Sequence, residues 1–193
     1  MVWNKKCLRW RCIMIILING AFGAGKTSAA YMLQPMLENS IIFDPEEVGY
    51  MLRRIVPEHI RIGNERTDDF QDMELWKVLT VKTIKEIKKK YNKDLIIPMT
   101  IYKTGNFEYI LNGLREIDPE LHHFCLTASE STIYQRLQKR GDEPNGWTYQ
   151  QTLKCTEALK HQQFEQFIDT EDKSTDDIVN IIMNQLSIYQ GTY

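Results

Sequence analysis

Short apolar runs recur along the chain, separated by stretches in which apolar residues return every three or four positions. The run 14–18 is apolar at every position, which is typical of a strand covered on both faces in a parallel sheet. Similar runs predict strands at 41–43, 95–97 and 121–126, and a weaker run predicts a fifth strand at 167–168.

The stretches between these strands have the period of amphipathic helices. The predicted helices cover 29–39, a segment opening at 45–47, 76–91, 106–117, 129–140, 148–161 and 174–188. Strands that alternate with helices throughout predict an α/β fold: a three-layer, doubly wound domain with a central parallel sheet of about five strands.

Length and termini bear on the domain organisation. A chain of 193 residues is expected to form one domain. Residues 1–13 carry four basic residues and no acid, and together with the apolar run they superficially resemble a signal peptide. We reject that interpretation because the run leads directly into a glycine-rich loop that needs a strand before it. We therefore predict an extra basic tail at 1–13, with Met14 as an alternative start, and a domain at 14–193.

Composition and charge exclude several classes of protein. Hydrophobic residues make up 42% and charged residues 26%, as in ordinary globular domains. The net charge of −2 gives no reason to expect nucleic acid as a partner, and no apolar run reaches the roughly 18 residues of a membrane span. The four cysteines fit no metal or disulfide framework, so we expect reduced thiols and a cytoplasmic protein, either a monomer or a homodimer.

The segment 20–27 (GAFGAGKT) matches the phosphate-binding pattern GxxxxGK[ST], and it lies between a predicted strand and a predicted helix. Glycines let the backbone approach phosphate oxygens closely, and a helix N-terminus presents unpaired N–H groups to them. The alternative is a tight strand-to-helix turn without a ligand. The predicted nucleotide-binding residues are Gly20, Ala21, Phe22, Gly23, Ala24, Gly25, Lys26, Thr27 and Ser28.

Two side chains of this loop have predicted roles in phosphoryl transfer. Lys26 is expected to reach the β- and γ-phosphates, and the Thr27 hydroxyl is expected to bind Mg²⁺. ATP is preferred over GTP because no guanine-reading NKxD element follows; residues 92–94 (NKD) are one position short and precede a strand.

Asp44 directly follows the second predicted strand. An acid at this place can orient or deprotonate an acceptor hydroxyl that faces the γ-phosphate, so we predict a catalytic and substrate-binding role. The alternative is a helix cap ahead of Pro45.

Two arginines, Arg136 and Arg140, lie one helical turn apart before the polar loop 141–146. We predict that they belong to a lid at about 140–148 and stabilise the transferring phosphoryl group; the alternative is an ordinary surface ion pair. Arg53 is predicted to face the acceptor.

The remaining candidate site residues rest on less specific sequence signals. Trp76 and Thr100 are predicted to contact the acceptor, although the helical spacing of Trp76 also fits core packing. Trp147, at the edge of the lid, could cover a ligand, and we expect no catalytic role for the adjacent histidines 122 and 123. The polar stretch 56–69 is a candidate mobile segment.

The run 18–27 (INGAFGAGKT) resembles the tunicamycin resistance protein family, a group of small P-loop proteins similar to nucleoside monophosphate kinases, gluconate kinase and chloramphenicol phosphotransferase. Further blocks resemble the family's blocks in order: Asp44-Pro45-Glu46 with Gly49, Leu52-Arg53 with Val56-Pro57, Asp69-Phe70-Gln71 with Leu75-Trp76, Pro98-Met99-Thr100, His122-His123-Phe124, Ala128-Ser129 and Arg136-Leu137 with Arg140. The resemblance implies a P-loop kinase-like fold, ATP as ligand and resistance to tunicamycin, a nucleoside antibiotic.

Three hypotheses remain open at this point. The first is an ATP- and Mg²⁺-dependent phosphotransferase acting on a hydroxyl of a small molecule such as a tunicamycin-like nucleoside antibiotic, with the phosphorylated product inferred from the likeness to kinases. The second is an ATP-gated protein that sequesters the antibiotic without turnover. The third is a metabolic kinase for a sugar or nucleotide.

Overall fold

The computed structural model describes residues 13–144, 146–161 and 166–190. The basic tail, predicted at 1–13, therefore lies almost wholly outside the described residues, and its separation from the domain remains a prediction. The described ranges contain β1 (Ile15–Gly20), α1 (Lys26–Leu33), β2 (Ser40–Ile42), α2 (Pro45–Ile55), α3 (Glu74–Tyr91), β3 (Asp94–Pro98), α4 (Thr104–Ile117), β4 (His122–Thr127), α5 (Glu130–Arg140), α6 (Trp147–His161), β5 (Gln166–Asp169) and α7 (Thr175–Gln190).

The five strands form one parallel sheet in the order β2-β3-β1-β4-β5. β1 lies at the centre, and all six of its residues are buried. Because the strands are parallel, their carboxyl ends meet at one edge, where ligands of open α/β sheets bind. The predicted α/β fold with a central parallel sheet is confirmed.

The alternation of side chains along β1 separates two apolar layers. Ile16 and Ile18 pack on one face with residues of α1 and α7, whereas Ile15 and Leu17 pack on the other face with residues of α2, α3 and α4. A sheet buried on both faces explains why the run 14–18 is apolar at every position, and it gives the three layers that the sequence predicts.

Two buried carboxylates fix the amino end of β1. Asp94 Oδ1 accepts the Met14 N–H at 2.9 Å, and Asp118 Oδ2 accepts the Ile15 N–H at 2.7 Å. Asp118 also forms an ion pair with Lys88 at 2.6 Å. The strand is thus held at its start by side chains from β3, α3 and the end of α4.

The polar segment 56–69 contains short 3-10 turns at Glu58–Ile60 and Gly63–Glu65. Its arginines bond to the local backbone: Arg61 Nε donates to the Val56 carbonyl, and Arg66 Nε donates to the Arg61 carbonyl, each at 3.0 Å. The mobility of the segment 56–69 remains a prediction.

No helix in the described ranges is both long and apolar enough to span a bilayer.

Two glycines of α4 provide a test of how tightly α3 packs on α4. A Cβ at Gly113 would lie 2.7 Å from Val81 Cγ1, whereas a Cβ at Gly105 would meet nothing within 4 Å. We expect Gly113→Ala to lower the free energy of unfolding by about 1–3 kcal/mol through overpacking, measured by urea denaturation. Gly105→Ala, the matched control, should leave it unchanged or raise it by up to about 1 kcal/mol. Equal effects of the two changes would contradict this packing.

Candidate active site

The loop between β1 and α1 depends on glycine at two positions. At Gly20, where φ is 153°, a Cβ would lie 2.6 Å from the Leu126 carbonyl oxygen of β4. Gly25, the N-cap residue of α1, has a φ of 98°, in the left-handed region that costs other residues free energy. The first allows the loop to pass close to the sheet, and the second turns the chain into the helix.

The start of α1 has unpaired N–H groups. Gly25 is the N-cap residue of the helix and has no side chain that could accept a hydrogen bond from these groups. The first intrahelical bond runs from Ala29 N–H to the Gly25 carbonyl at 2.9 Å. The amides of 26–28 therefore precede the first bond of the helix, and residues 23–28 line a cleft. Such a helix end binds anions through its amides and its dipole.

Lys26 is buried beneath this loop, with 8% of its surface exposed. Its ammonium group donates to the Ala21 carbonyl at 2.8 Å. Burial lowers the pKa of Lys26 to about 8, and the nearby Glu46 carboxylate partly opposes that change. The side chain is thus held at the loop by a weak neutral acceptor, which a phosphate oxygen can replace.

The cleft has a volume of about 870 Å³ and opens at the carboxyl edge of the sheet. It is lined by three groups of residues: Phe22, Gly23, Ala24, Gly25, Lys26, Thr27 and Ser28 of the loop; Asp44, Glu46, Tyr50, Arg53, Asp68, Asp69, Phe70, Gln71, Pro98, Met99 and Thr100 beyond it; and Arg136, Arg140, Trp147, Thr148, Lys173, Thr175 and Ile178 on the remaining side. Such dimensions accommodate a small molecule.

Asp44 caps α2 and also lines the cleft. Its Oδ1 accepts the Glu46 N–H at 2.9 Å, as a helix cap does. Burial raises the pKa of Asp44, and the Lys26 charge opposes that effect. The cap and the predicted acceptor contact are therefore compatible, because the cap uses only one carboxylate oxygen.

Glu46 is a site residue that the sequence reasoning missed. It lines the cleft between Asp44 and Tyr50, and the Tyr50 hydroxyl donates to its Oε2 at 3.3 Å. Burial, and then the Asp44 charge, raise the pKa of Glu46, whereas Lys26 lowers it. A glutamate in the first turn of a helix is ordinary, so the sequence carried no specific signal for it.

The turn 69–71 forms part of the cleft wall. Asp69 Oδ2 accepts a short hydrogen bond from the Tyr102 hydroxyl and lies 3.3 Å from Lys103 Nζ. Gln71 Nε2 donates to the Thr100 carbonyl at 3.0 Å, and Asn106 Nδ2 donates to the Gln71 carbonyl at 2.7 Å. These hydrogen bonds connect the turn 69–71 to residues 100–106, which follow β3 in the chain.

The predicted arginines all line the cleft, and each has a local contact. Arg136 donates twice to Thr170, to Oγ1 at 2.9 Å and to the carbonyl at 2.6 Å. Arg140 donates twice to Asp142, at 2.6 and 2.7 Å. The Arg53 guanidinium lies 5.7 Å from the centroid of the Phe70 ring. Their action on phosphate or acceptor remains a prediction, as does the lid at 140–148, of which residue 145 lies outside the described residues.

The structure places Trp76 in the core. Its side chain is 1% exposed, its Nε1 donates to the Pro45 carbonyl at 3.0 Å, and Phe70 packs against it with ring centroids 5.4 Å apart. Trp76 is absent from the described cleft lining, so its position fits the core alternative, in which it supports Phe70. Trp147 does line the cleft, with its ring centroid 5.5 Å from that of Phe22.

Burial keeps the side chains of His123, Cys125 and Cys155 uncharged at neutral pH. Burial lowers the pKa of His123 to about 3, so the ring stays neutral. Burial also raises the pKa of Cys125 and Cys155 to about 12, so both thiols stay protonated. Within the described part of the chain, no group of three or more His, Cys, Asp or Glu side chains could hold a metal ion.

The central parallel sheet and the glycine loop at its carboxyl edge define an α/β protein of the P-loop kinase-like class. Residues 16–156 match the model of the AAA domain family, so the chain belongs to that family. A search of functionally curated proteins found no match.

Several solved structures are similar to this one. The tunicamycin resistance protein of Deinococcus radiodurans superposes with a TM-score of 0.71 and 28% identity, over 90% of this chain and 95% of that one. A sugar kinase from Janibacter sp. HTCC2649 gives 0.66 and 16% identity over 91% and 95%. A shikimate kinase from Acinetobacter baumannii gives 0.59 and 16% identity over 95% and 97%. The two kinases support the fold alone, whereas the first confirms the resemblance seen in the sequence.

The lowered pKa of Lys26 leads to a pH-dependent affinity for nucleotide. Phosphate favours the charged ammonium form, so binding above about pH 8 must include uptake of a proton. We expect the affinity for MgATP to be highest below about pH 8 and to fall by up to about tenfold per pH unit above it. Calorimetry in two buffers of different ionisation enthalpy measures both effects.

The matched control is Lys26→Arg, because the guanidinium stays charged throughout this range. Its nucleotide affinity, where retained, should not fall near pH 8. A wild-type affinity that is constant from about pH 7 to about pH 9 would contradict the shifted pKa of Lys26.

Proposed function

We propose that this protein is an ATP- and Mg²⁺-dependent phosphotransferase that transfers the γ-phosphoryl group to a hydroxyl of a small molecule. The proposed acceptor is a tunicamycin-like nucleoside antibiotic, and the proposed result is antibiotic resistance in the cytoplasm. The observation that carries this proposal is that Lys26, at the phosphate loop, and Asp44, at the start of α2, line the same cleft. The first can bind the donor while the second orients the acceptor.

The nucleotide end is built from the loop and α1. The amides of 23–28 bind the phosphates, and Lys26 exchanges its contact with the Ala21 carbonyl for β- and γ-phosphate oxygens. Arg136 and Lys173 line the same cleft and add positive charge to it.

The residues present fit Mg²⁺ bound mainly through the phosphates. Thr27 is exposed in the first turn of α1 and lines the cleft, and the Asp44 and Glu46 carboxylates line it too. Mg²⁺ in such enzymes takes few protein ligands and several phosphate and water oxygens. The ion, when bound, neutralises charge on the phosphates. We assign the Thr27 hydroxyl as its protein ligand.

Asp44 is the proposed base. The acceptor hydroxyl oxygen forms a bond to the γ-phosphorus while the bond from that phosphorus to the bridging oxygen of ADP breaks, and Asp44 takes the hydroxyl proton. Burial raises the pKa of Asp44, which makes its carboxylate a better proton acceptor. Most of the rate comes from positioning and electrostatics, since this chemistry asks little covalent work of the protein.

Arg140 and Arg136 are proposed to stabilise the negative charge that spreads over the moving phosphoryl group. Arg140 can do so after it leaves Asp142, with which it forms a bidentate ion pair. Oxygens of the phosphoryl group would then replace both carboxylate oxygens as acceptors. Arg136 is held by Thr170 and acts from that position.

The choice of acceptor rests on the similarity to the Deinococcus radiodurans tunicamycin resistance protein, which extends over 90% of this chain. Two other functions are alternative outcomes of the experiment that tests this proposal. A sequestering protein would retain the antibiotic unchanged. A metabolic kinase would phosphorylate a sugar or nucleotide, in keeping with a fold that it shares with a sugar kinase.

Mass spectrometry of tunicamycin after incubation with protein and MgATP separates these functions. A gain of one phosphoryl group in the wild type, absent with Lys26→Met, is the expected result. Unmodified tunicamycin that co-purifies with the protein supports sequestration, and turnover of a sugar or nucleotide without turnover of tunicamycin supports the metabolic kinase. Either of these two results would overturn the proposed acceptor reaction.

Asp44 variants separate catalysis from capping. Asp44→Asn keeps an oxygen for the Glu46 N–H and removes the base, so kcat should fall by roughly 10²-fold or more while the affinity for MgATP and the unfolding free energy change little. Asp44→Ala also removes the cap and should lower the unfolding free energy by about 1 kcal/mol. A wild-type kcat in Asp44→Asn would leave Asp44 as a cap only.

A further inference from the structure

Two aromatic side chains lie at the phosphate end of the cleft, which we define as the part lined by residues 22–28, and the steps proposed above give neither of them a role. Phe22 belongs to the phosphate loop, Trp147 is the first residue of α6, and both line the cleft. Their ring centroids lie 5.5 Å apart at an interplanar angle of 69°, an edge-to-face contact that aromatic pairs favour. Two segments that are distant in the chain therefore place apolar rings together in the cleft.

The ring of Phe22 lies beside the lysine of the phosphate loop. Its centroid is 5.8 Å from Lys26 Nζ. A phosphate oxygen bound by that ammonium group lies about 2.8 Å from the nitrogen, so the ring centroid is at most about 9 Å from such an oxygen. In the proposed function Lys26 binds β- and γ-phosphate oxygens. The ring is therefore close to the phosphoryl group that would be transferred.

Phosphate binding does not explain a phenyl ring at this position. A loop of this kind holds phosphate through backbone N–H groups, and a phenyl ring offers the oxygens neither charge nor a hydrogen bond. Phe22 is the one large side chain among residues 20–25, where the other non-glycine residues are Ala21 and Ala24. These two alanines are buried, with 3% and 0% of their surfaces exposed, whereas Phe22 lines the cleft. The ring therefore needs a role other than contact with phosphate.

A base beside a phosphoryl group creates a problem of selectivity. The carboxylate that takes a proton from an acceptor hydroxyl can also take one from water, which is far more abundant than any acceptor. In that side reaction the water oxygen bonds to the γ-phosphorus, the bond from that phosphorus to the bridging oxygen of ADP breaks, and Asp44 takes the proton. Enzymes prevent such hydrolysis by excluding water from the reacting atoms. Apolar side chains at the phosphate end are suited to that task.

We propose that Phe22 and Trp147 determine specificity against water: their rings cover the phosphate end of the cleft and suppress hydrolysis of ATP. This inference rests on the proposed function, because it concerns the same γ-phosphoryl group. It goes beyond that function by assigning the choice between water and a bound hydroxyl to two side chains that carry no charge. An acceptor overcomes the exclusion with binding energy from the rest of the cleft, which a water molecule lacks.

The test is the release of inorganic phosphate from MgATP by the full chain in the absence of any acceptor. We expect slow hydrolysis by the wild type and a rate at least about tenfold higher in Phe22→Ala and in Trp147→Ala, because each change opens the apolar cover to water. The affinity for a nonhydrolysable ATP analogue should change by less than about threefold, since the loop amides and Lys26 remain. Trp147→Phe keeps an aromatic ring and should keep the low rate.

Tyr134→Ala is the matched control. Like Phe22, Tyr134 is a partly buried aromatic residue that packs against the apolar cluster containing Cys125, Leu137 and Leu159, but it is absent from the described cleft lining. Loss of its ring should leave the hydrolysis rate at the wild-type level, because the ring covers no part of the phosphate end. An equal rise in Tyr134→Ala and Phe22→Ala would instead assign the faster hydrolysis to loosened packing.

A wild-type hydrolysis rate in either folded variant, an equal rise in the control, or loss of nucleotide binding in Phe22→Ala would each overturn the inference. If Phe22→Ala does not fold, Trp147→Ala decides, because the Trp147 side chain is 40% exposed and contributes less to the core. Hydrolysis needs no acceptor. Failure to phosphorylate tunicamycin would therefore defeat the proposed reaction and leave this result standing, whereas phosphorylation by a chain whose Phe22→Ala variant hydrolyses ATP no faster would defeat only this inference.

Discussion

The close approach of the phosphate loop to the sheet is the constraint on which the site depends. β1 is buried at the centre of the sheet, and at Gly20 a side chain would meet the Leu126 carbonyl of the neighbouring strand at 2.6 Å. A larger residue there would displace the loop from the strand ends. With glycine at this position the loop stays against the strand ends, and residues 23–28 line the same cleft as Asp44 and the turn 69–71.

A second feature is the separation of charge within one cleft. Positive groups gather at the loop and at the α5 and α7 side, where Lys26, Arg136, Arg140 and Lys173 line the wall. Carboxylates gather where residues 44–53 and 68–71 line the cleft, with Arg53 among them. Burial shifts the pKa of Lys26 down and the pKa of Glu46 up, so both groups are closer to neutrality than in water. The proposed phosphate donor and neutral hydroxyl acceptor are compatible with this distribution of charge.

The sequence predicted those features that are encoded locally. The apolar run 14–18 and the pattern at 20–27 are contiguous, so strand, loop and helix follow from periodicity and glycine spacing. Asp44 was found because an acid directly after a strand must lie at the sheet edge. Its cap function came from the same local context, and the structure contains that cap.

Contacts between distant segments were not predictable in the same way. Gln71 meets Thr100 across 29 positions, and Arg136 meets Thr170 across 34. Neither pair follows from periodicity, since the packing of whole elements brings them together. Helical spacing identified Trp76 as apolar-facing, but only the packing of Phe70 over it shows that the ring belongs to the core.

The most direct test of the central claim is amide hydrogen exchange of the full chain with and without Mg²⁺ and a nonhydrolysable ATP analogue. If the backbone of 20–28 binds the phosphates, the nucleotide should slow exchange of these amides, and Lys26→Met should abolish the protection. Unchanged exchange at 20–28, with protection absent or confined to another part of the chain, would contradict the account.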